Sequence, residues 1–179
     1  MRALSRERAS LLSLQCVAGW LLGMTTIDLS DRTTGWHRDA GARLQQLLVG
    51  TLDLGLLMKQ VHWNLRGPGF RSAHLQLDEI AGDLGQYADM LAERAVALGV
   101  APDGRVRTIA DSSPLHPLAP GPLPAEDAMA ALADRLDALV AVARGQLGPL
   151  GDSDLVTQDL VIGLTGMLEK HRWMLRARS

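Results

Sequence analysis

The 179-residue chain contains little cysteine and little lysine. Its single cysteine, Cys16, excludes an internal disulfide and agrees with a reducing compartment. Lysine occurs at two positions, Lys59 and Lys170, and the formal net charge is −2. Because the chain as a whole does not attract anions, binding to nucleic acid or to an anionic membrane surface would have to be local.

Aromatic residues are also scarce, at 3% of the sequence. No stretch shows the sustained alternation of β-branched residues that is typical of strands, so the pattern favours helices. Hydrophobic residues nevertheless make up 47% of the chain, which is enough for one domain with a full core. We predict an all-α domain over residues 34–179, preceded by an N-terminal arm over residues 1–33.

The first 24 residues carry arginines followed by an apolar run, which superficially resembles a secretory signal. The run lacks a small-x-small cleavage pattern, is too short to span a bilayer and is followed directly by charged sequence, so we expect neither export nor membrane insertion. Two interpretations stay open. The segment is either an amphipathic arm that packs on a neighbouring subunit, or translated sequence upstream of a start at Met24.

Leucine spacing and turn signals predict four long helices. The first covers about 34–65, the second covers about 70–98, the third starts at Pro124 and ends between 145 and 151, and the fourth starts near Asp154. The proline-rich segment 100–124 is a long crossover with a short helical piece at 106–110. Four helices with one long connection between the second and the third form a ferritin-like bundle.

The second helix carries two pairs of metal-ligand residue types, His74 with Asp78 and Asp89 with Glu93, and His62 lies just before it. A spacing of four places the members of each pair on one helical face. At about 1.5 Å of rise per residue the two pairs stand roughly 16 Å apart, too far to hold one ion. Either there are two separate sites, or a second chain completes one.

The turn signal Gly67-Pro68-Gly69 favours the second option, because folding there brings His62 to His74. An antiparallel copy of the helix, related by a two-fold axis near Asp83, would carry its own acidic pair to these histidines. A helical wheel places all the ligands roughly 150° from the centre of the apolar arc. The other residues on the ligand face are small: Ala81, Gly82 and Gly85 between the pairs, and Ala92 within the second pair.

The simpler alternative is that these charged residues only face solvent, as most do. Two glycines inside a helix, however, each cost about 1 kcal/mol relative to alanine, so a compensating close approach of a partner helix is expected. The five ligand types, the turn and the glycines together favour a metal site shared between two chains.

The segment from Lys59 to Ala110 resembles the signature region of the Dps family, the mini-ferritins of starved bacteria. The matching residues stand at the family's spacing without a gap: Lys59, His62-Trp63-Asn64, Arg66-Gly67, Phe70, His74, Leu77-Asp78, Ala88-Asp89 and Ala92-Glu93-Arg94. Leu168-Glu169-Lys170 and Trp173-Met174-Leu175 resemble the family's last helix. The resemblance therefore covers roughly residues 34–178.

This resemblance implies a dinuclear iron centre, with His62, His74 and Asp78 from one subunit and Asp89 and Glu93 from its partner as metal-binding and catalytic groups. It also implies a homododecameric shell in the bacterial cytoplasm that oxidises Fe(II) with hydrogen peroxide or oxygen, stores the ferric product and protects DNA. Ligand types alone leave zinc or manganese open as the bound metal.

The resemblance implies roles for five further residues. Trp63 and Trp173 are candidates for an electron relay near the centre, although packing is a common use of such side chains. Asp152, Asp154 and Asp159 are candidates for an acidic pore, although acids at a helix start also act as ordinary caps. The remaining histidines have no partner of ligand type and are expected to be surface or packing residues: His37, His116 and His171.

DNA binding is a separate question, because family members often bind DNA through a mobile lysine-rich tail, which is lacking here. Arginines do concentrate at the two ends of the chain: Arg2, Arg6, Arg8, Arg172, Arg176 and Arg178. Twelve arms could bind DNA without sequence specificity through avidity, whereas arms folded onto the shell could not. The alternative function is therefore a nucleoid-compacting structural protein with little ferroxidase activity.

Overall fold

The computed structural model describes residues 35–177. The predicted arm of residues 1–33, with its alternative start at Met24, lies outside the described residues. The helices are α1 (Gly35–Asn64), α2 (Phe70–Ala97), α3 (Val106–Ser112), α4 (Ala125–Gly151) and α5 (Leu155–Arg176). Two short strands, β1 (Leu65–Arg66) and β2 (Leu123–Pro124), pair in parallel, with Leu65 opposite Leu123 and Arg66 opposite Pro124.

The predicted all-α fold is confirmed, with four long helices and a crossover that contains the short α3. One boundary differs slightly, because Pro124 has an extended ψ of 140° and precedes α4 as its N-cap rather than opening it. The β1–β2 pair was not predicted, since two residues are too few to show a period of two. No helix within residues 35–177 is long and apolar enough to cross a membrane.

The core is built mainly from leucines of the four long helices. Helix α1 packs along α2 and α4 packs along α5. Leu47 of α1, Leu84 of α2, Leu136 of α4 and Leu164 of α5 are all at most 1% exposed, and each such burial stabilises the fold by about 2 kcal/mol. Along α2, the predicted apolar arc faces this core, with Tyr87 half-buried at its edge. The opposite face of α2 is left for the candidate ligands.

Polar contacts attach the crossover to two helices. The side chain of Gln45 in α1 pairs with the main chain of Asp103, and Ser113 donates to Asp53 of α1. From α4, Arg135 donates to the carbonyl oxygens of His116 and Pro117. The long connection is therefore fixed on the bundle rather than held only by its ends.

Candidate metal centre

The turn between α1 and α2 brings two histidines into direct contact. Gly67 and Gly69 have φ angles of 85° and 75°, in the left-handed region that glycine occupies without steric cost. The chain therefore reverses tightly, and the rings of His62 and His74 stack with centroids 3.5 Å apart and planes 20° apart. The ring of Phe70 contacts His74 at a tilt of 32°, with the two ring centroids 5.0 Å apart.

Each of these histidines is oriented by the main chain of the other. Nδ1 of His62 lies 2.9 Å from the carbonyl oxygen of His74, and Nδ1 of His74 lies 3.1 Å from the carbonyl oxygen of His62. A carbonyl oxygen only accepts, so each Nδ1 carries the proton and donates. Both Nε2 atoms are then left with a lone pair, and a backbone carbonyl fixes the orientation of each ring, as is usual for histidines that bind a metal ion.

Asp78 stands beside the histidines and completes what we call the histidine half-site (His62, His74 and Asp78). Its Oδ1 lies 3.4 Å from Nδ1 of His62 and 2.6 Å from Nζ of Lys59. The hydrogen bond from Lys59 is the largest influence on the pKa of Asp78; although desolvation opposes it, the pKa is lowered, with His62 and His74 also contributing. The Asp78 carboxylate is thus kept ionised and available to a cation.

Asp89 and Glu93, which we call the acidic half-site, lie further along α2 and are both exposed. Within residues 35–177 neither forms a side-chain hydrogen bond or ion pair. In the same part of the chain, no group of three or more histidine, cysteine or acidic residues is placed to hold a metal ion. One chain therefore supplies two incomplete ligand sets on one face of α2.

An open surface, which we call the α1–α2 groove, connects the two half-sites. A cavity of about 410 Å³ includes Lys59 and Asp78, and a neighbouring cavity of about 390 Å³ includes Asp89. Both cavities are lined by Leu52, Gly85 and Ala88. The groove therefore runs along α2 from one ligand set to the other.

The surface of this groove is apolar and shallow. A Cβ atom added at Gly82 or Gly85 would meet nothing within 4 Å, so the glycines leave α2 open to a close neighbour. Leu56 of α1, a large hydrophobic residue, is 57% exposed. The hydroxyl of Thr51 is fully buried beneath the groove and has no hydrogen-bond partner in the described part of the chain.

Asp154, a pore candidate, is occupied in other contacts. It is 8% exposed and caps α5 by accepting from the backbone N–H of Val156. Arg94 of α2 donates to its Oδ2 at 2.7 Å, and the hydroxyl of Thr157 donates to the same oxygen. Burial raises the pKa of Asp154, but the bonds from Thr157 and Arg94 outweigh it, so the pKa is lowered. These contacts support the capping role.

The other candidate residues are all exposed. Asp152 and Asp159 flank the start of α5 with exposed side chains, and their pore role stays a prediction. Trp63 and Trp173 are 63% and 66% exposed, so in the single chain neither fills the core. Their part in an electron relay also stays a prediction.

His171, expected to be a packing residue, makes a contact that the sequence did not reveal. It is 4% exposed, and its Nε2 lies 2.7 Å from Oδ2 of Asp83 on α2. The other unassigned histidines lie at the surface, His116 exposed and His37 half-buried against Trp36. No regular spacing links residues 83 and 171, so only the fold brings them together.

Comparison with known proteins places this arrangement in a family. The family model described as a ferritin-like domain matches residues 41–178. A DNA protection during starvation protein of Mycolicibacterium smegmatis is 33% identical over 157 residues, which span 88% of this chain and 84% of that protein. The chain belongs to the Dps family of ferritin-like proteins.

Two further proteins are similar to this chain. A solved structure of Mycobacterium smegmatis Dps in a tetragonal form has a TM-score of 0.77 and 34% identity, covering 80% of this chain and 87% of that one. The fine tangled pili major subunit of Haemophilus ducreyi is 34% identical over 136 residues, which span 75% of this chain and 71% of that protein. The Dps fold thus accounts for nearly all the described residues.

Proposed function

We propose that this chain is a Dps-type ferroxidase and iron-storage protein whose catalytic centre is shared between two subunits. Membership of the Dps family and the ferritin-like fold support a role in iron storage and DNA protection in general. The observation that carries the finer proposal is the histidine half-site, where two imidazoles with free Nε2 atoms stand beside an ionised carboxylate.

The donor set fits iron as the substrate. Imidazole nitrogen binds Fe(II), carboxylate oxygen stabilises Fe(III), and two incomplete sets leave positions open for an oxidant. A second copy of the chain, antiparallel across the α1–α2 groove, would bring Asp89 and Glu93 to the histidine half-site of its partner. Two such centres form per pair, with His62, His74, Asp78, Asp89 and Glu93 as metal-binding and catalytic residues.

The reaction that these ligands suit is the oxidation of two ferrous ions by one hydrogen peroxide molecule. Each Fe(II) gives up one electron, the O–O bond breaks, and two hydroxide ions form. Because both electrons come from adjacent metal ions, no hydroxyl radical is released beside DNA. The residues contribute by holding the two ions close together, while each Nδ1 keeps its proton and donates it in a hydrogen bond to a backbone carbonyl.

The family resemblance extends this proposal to the assembly. It implies a homododecamer in the cytoplasm that stores ferric mineral and takes hydrogen peroxide in preference to oxygen. The two-fold contact through α2 is one of the interfaces that such a shell needs.

Iron oxidation tests this proposal directly. We would follow Fe(II) oxidation by near-ultraviolet absorbance, first with peroxide and then with oxygen, in wild type and in His62→Ala/Asp89→Ala. Wild type should give fast oxidation and a soluble ferric product, and the variant should lose both. The control is His116→Ala/Asp127→Ala, which removes the same residue types from exposed positions outside the groove. Equal rates in wild type and His62→Ala/Asp89→Ala would overturn the proposal.

Several relatives are named DNA protection during starvation proteins, which favours a second candidate function, non-specific DNA binding and nucleoid compaction. Among the C-terminal arginines, Arg172 and Arg176 form ion pairs with acidic residues of α4, so of the terminal arginines we expect Arg2, Arg6, Arg8 and Arg178 to contribute most to a DNA contact. Asp89→Ala/Glu93→Ala separates the functions. It should abolish iron oxidation and leave any DNA mobility shift intact.

A further inference from the structure

The acidic half-site has a wall that comes from outside α1 and α2. The cavity of about 390 Å³ around Asp89 is lined on one side by Pro102 and Gly104 of the crossover. Among the described residues that line this cavity, Asp89 is the one with a charged side chain. We call the segment 102–104 the crossover turn. Its position decides how much room surrounds Asp89 at this end of the α1–α2 groove.

A single side chain attaches the crossover turn to α1. Nε2 of Gln45 donates to the carbonyl oxygen of Asp103 at 2.8 Å, and Oε1 of Gln45 accepts from the backbone N–H of Asp103 at 2.8 Å. One amide thus satisfies both main-chain groups of Asp103, as an adjacent strand would. The two bonds leave the turn little freedom to slide along α1 or to lift from it.

Asp103 also binds the crossover turn to the residues that follow it. Its carboxylate accepts from the backbone and guanidinium of Arg105 and from the hydroxyl of Thr108. The side-chain bond from Arg105 is the largest of the influences that hold the pKa of Asp103 far below its ordinary value, followed by the backbone bond from Arg105 and the bond from Thr108. The carboxylate therefore keeps these bonds at any physiological pH.

The crossover turn contacts the groove closely. A Cβ atom added at Gly104 would lie 3.1 Å from Cδ1 of Leu52, a residue that lines both cavities of the groove. Only a glycine allows the backbone to lie this near to α1 without moving Leu52. Any helix that occupies the groove therefore meets a fixed edge beside Asp89.

We propose that the crossover turn, held by Gln45, is a positioning element for the shared centre. It limits where the second copy's α2 lies in the α1–α2 groove and so sets the distance from Asp89 to the partner's histidine half-site. This inference rests on the proposed two-chain centre. Gln45 is a positioning residue, because it acts through the turn and does not contact the ligands in the described chain.

The test measures zinc binding to the full-length protein by titration calorimetry, because Zn²⁺ takes nitrogen and oxygen ligands and is not oxidised. Binding that persists in His62→Ala/Asp89→Ala is subtracted as background. Gln45→Ala should weaken the zinc binding that remains after this subtraction by about tenfold, at the low end of the losses seen when groups that hydrogen-bond a metal ligand are removed, because Gln45 acts on Asp89 only through the turn. Fe(II) oxidation should slow in the same variant.

The matched control is Gln46→Ala. Gln46 is the next residue of α1 and also accepts an inter-helix hydrogen bond, from Nε2 of Gln146 on α4 at 2.9 Å, but it lies away from the groove linings. Gln46→Ala should bind zinc as wild type does, while the thermal midpoints of both variants stay similar. Equal zinc affinity in Gln45→Ala and wild type, or equal loss in both variants, would overturn the inference.

A second variant keeps the test decisive if Gln45→Ala folds poorly. Gly104→Ala leaves the Gln45 bonds in place and forces either Leu52 or the turn to move by a few tenths of an ångström. It should also weaken zinc binding, by less than Gln45→Ala does, and unchanged binding would contradict the role of the turn. If wild type binds no more zinc than His62→Ala/Asp89→Ala, the shared centre itself is overturned. If wild type binds zinc but Gln45→Ala and Gly104→Ala bind it equally well, only the positioning role is overturned.

Discussion

The histidine half-site and the acidic half-site differ in how many of their side chains have hydrogen-bond partners within the chain. In the histidine half-site every side chain has a partner within the chain: each imidazole donates to a carbonyl, and Asp78 accepts from Lys59. In the acidic half-site, Asp89 and Glu93 extend from an exposed face with no such partner among the described residues. The side chains of the histidine half-site are therefore oriented before metal binds. The side chains of the acidic half-site need contacts with a second chain to fix their orientation.

The strongest test of this difference mixes two inactive proteins. His74→Ala/Asp78→Ala lacks the histidine half-site and Asp89→Ala/Glu93→Ala lacks the acidic one, so each assembly alone should not oxidise iron. In a mixed pair, one of the two centres takes its intact halves from different chains. Random co-assembly should therefore restore about one quarter of the wild-type rate.

The control for this experiment is co-assembly of two proteins that both lack the histidine half-site, His62→Ala and His74→Ala/Asp78→Ala, which should restore nothing. No recovery in the mixed assembly would show that each centre lies within one chain, whereas recovery in the control would show that His62 and His74 of one centre come from different chains.

A second prediction concerns the ion pair between Arg94 and Asp154, beside the acidic half-site. Arg94, next to Glu93, is bound to the buried Asp154, so Asp154→Asn should lower the free energy of unfolding by about 2 kcal/mol at pH 7. The pKa of Asp154 is lowered in the fold, so its stabilising contribution is complete above the ordinary value of 3.8 and disappears as the pH falls through the folded-state value.

Urea unfolding at several pH values checks this sign. The difference between wild type and Asp154→Asn should shrink as the pH falls below 3.8, and a difference that stays constant would contradict the ion-pair explanation. Asp152→Asn, an exposed neighbour, should have little effect at any pH.

The third prediction separates the chain's own stability from pairing. Gly82→Ala and Gly85→Ala should each raise the stability of the fold by about 1 kcal/mol, because alanine favours the helix and nothing in the described chain obstructs the added methyl group. The same methyl groups should weaken the contact with a second α2. Urea unfolding and sedimentation velocity measure the two effects. Stronger association in the double variant would contradict the proposed use of this face.

The smallest expected effect is at Thr51, beneath the groove. Its hydroxyl is buried without a partner in residues 35–177, so Thr51→Val should stabilise the fold by about 1 kcal/mol through loss of an unsatisfied polar group. Unfolding at a protein concentration low enough to dissociate pairs isolates the chain's own contribution. A variant that is destabilised under these conditions would contradict the conclusion that the hydroxyl is unsatisfied in the single chain.

The sequence predicted the fold well where the signal was local and periodic. The second helix was predicted over 70–98 and spans Phe70–Ala97, because its leucine arc and the glycines just before and after it are local signals. The turn that brings His62 against His74 also has local glycine signals. Helix bounds and tight turns depend on a few neighbouring residues, so they can be predicted from the sequence alone.

Contacts between distant segments were not predictable in this way. An acidic residue before a helix fits either a pore or a cap, and Arg94, 60 positions from Asp154, supports the cap. Gln45 with Asp103, and Asp83 with His171, also join positions 58 and 88 apart. Neither composition nor residue spacing predicts such pairs, because only the tertiary structure decides whether the two residues are in contact.

The reciprocal bonds between His62 and His74 also bear on the order of folding. They join residues only 12 positions apart, so forming them closes a short loop at small entropic cost. They require α1, the turn and the start of α2, and nothing from α4 or α5. In kinetic terms, the histidine half-site is encoded in a helical hairpin of low contact order, and it can form before the rest of the bundle assembles around it.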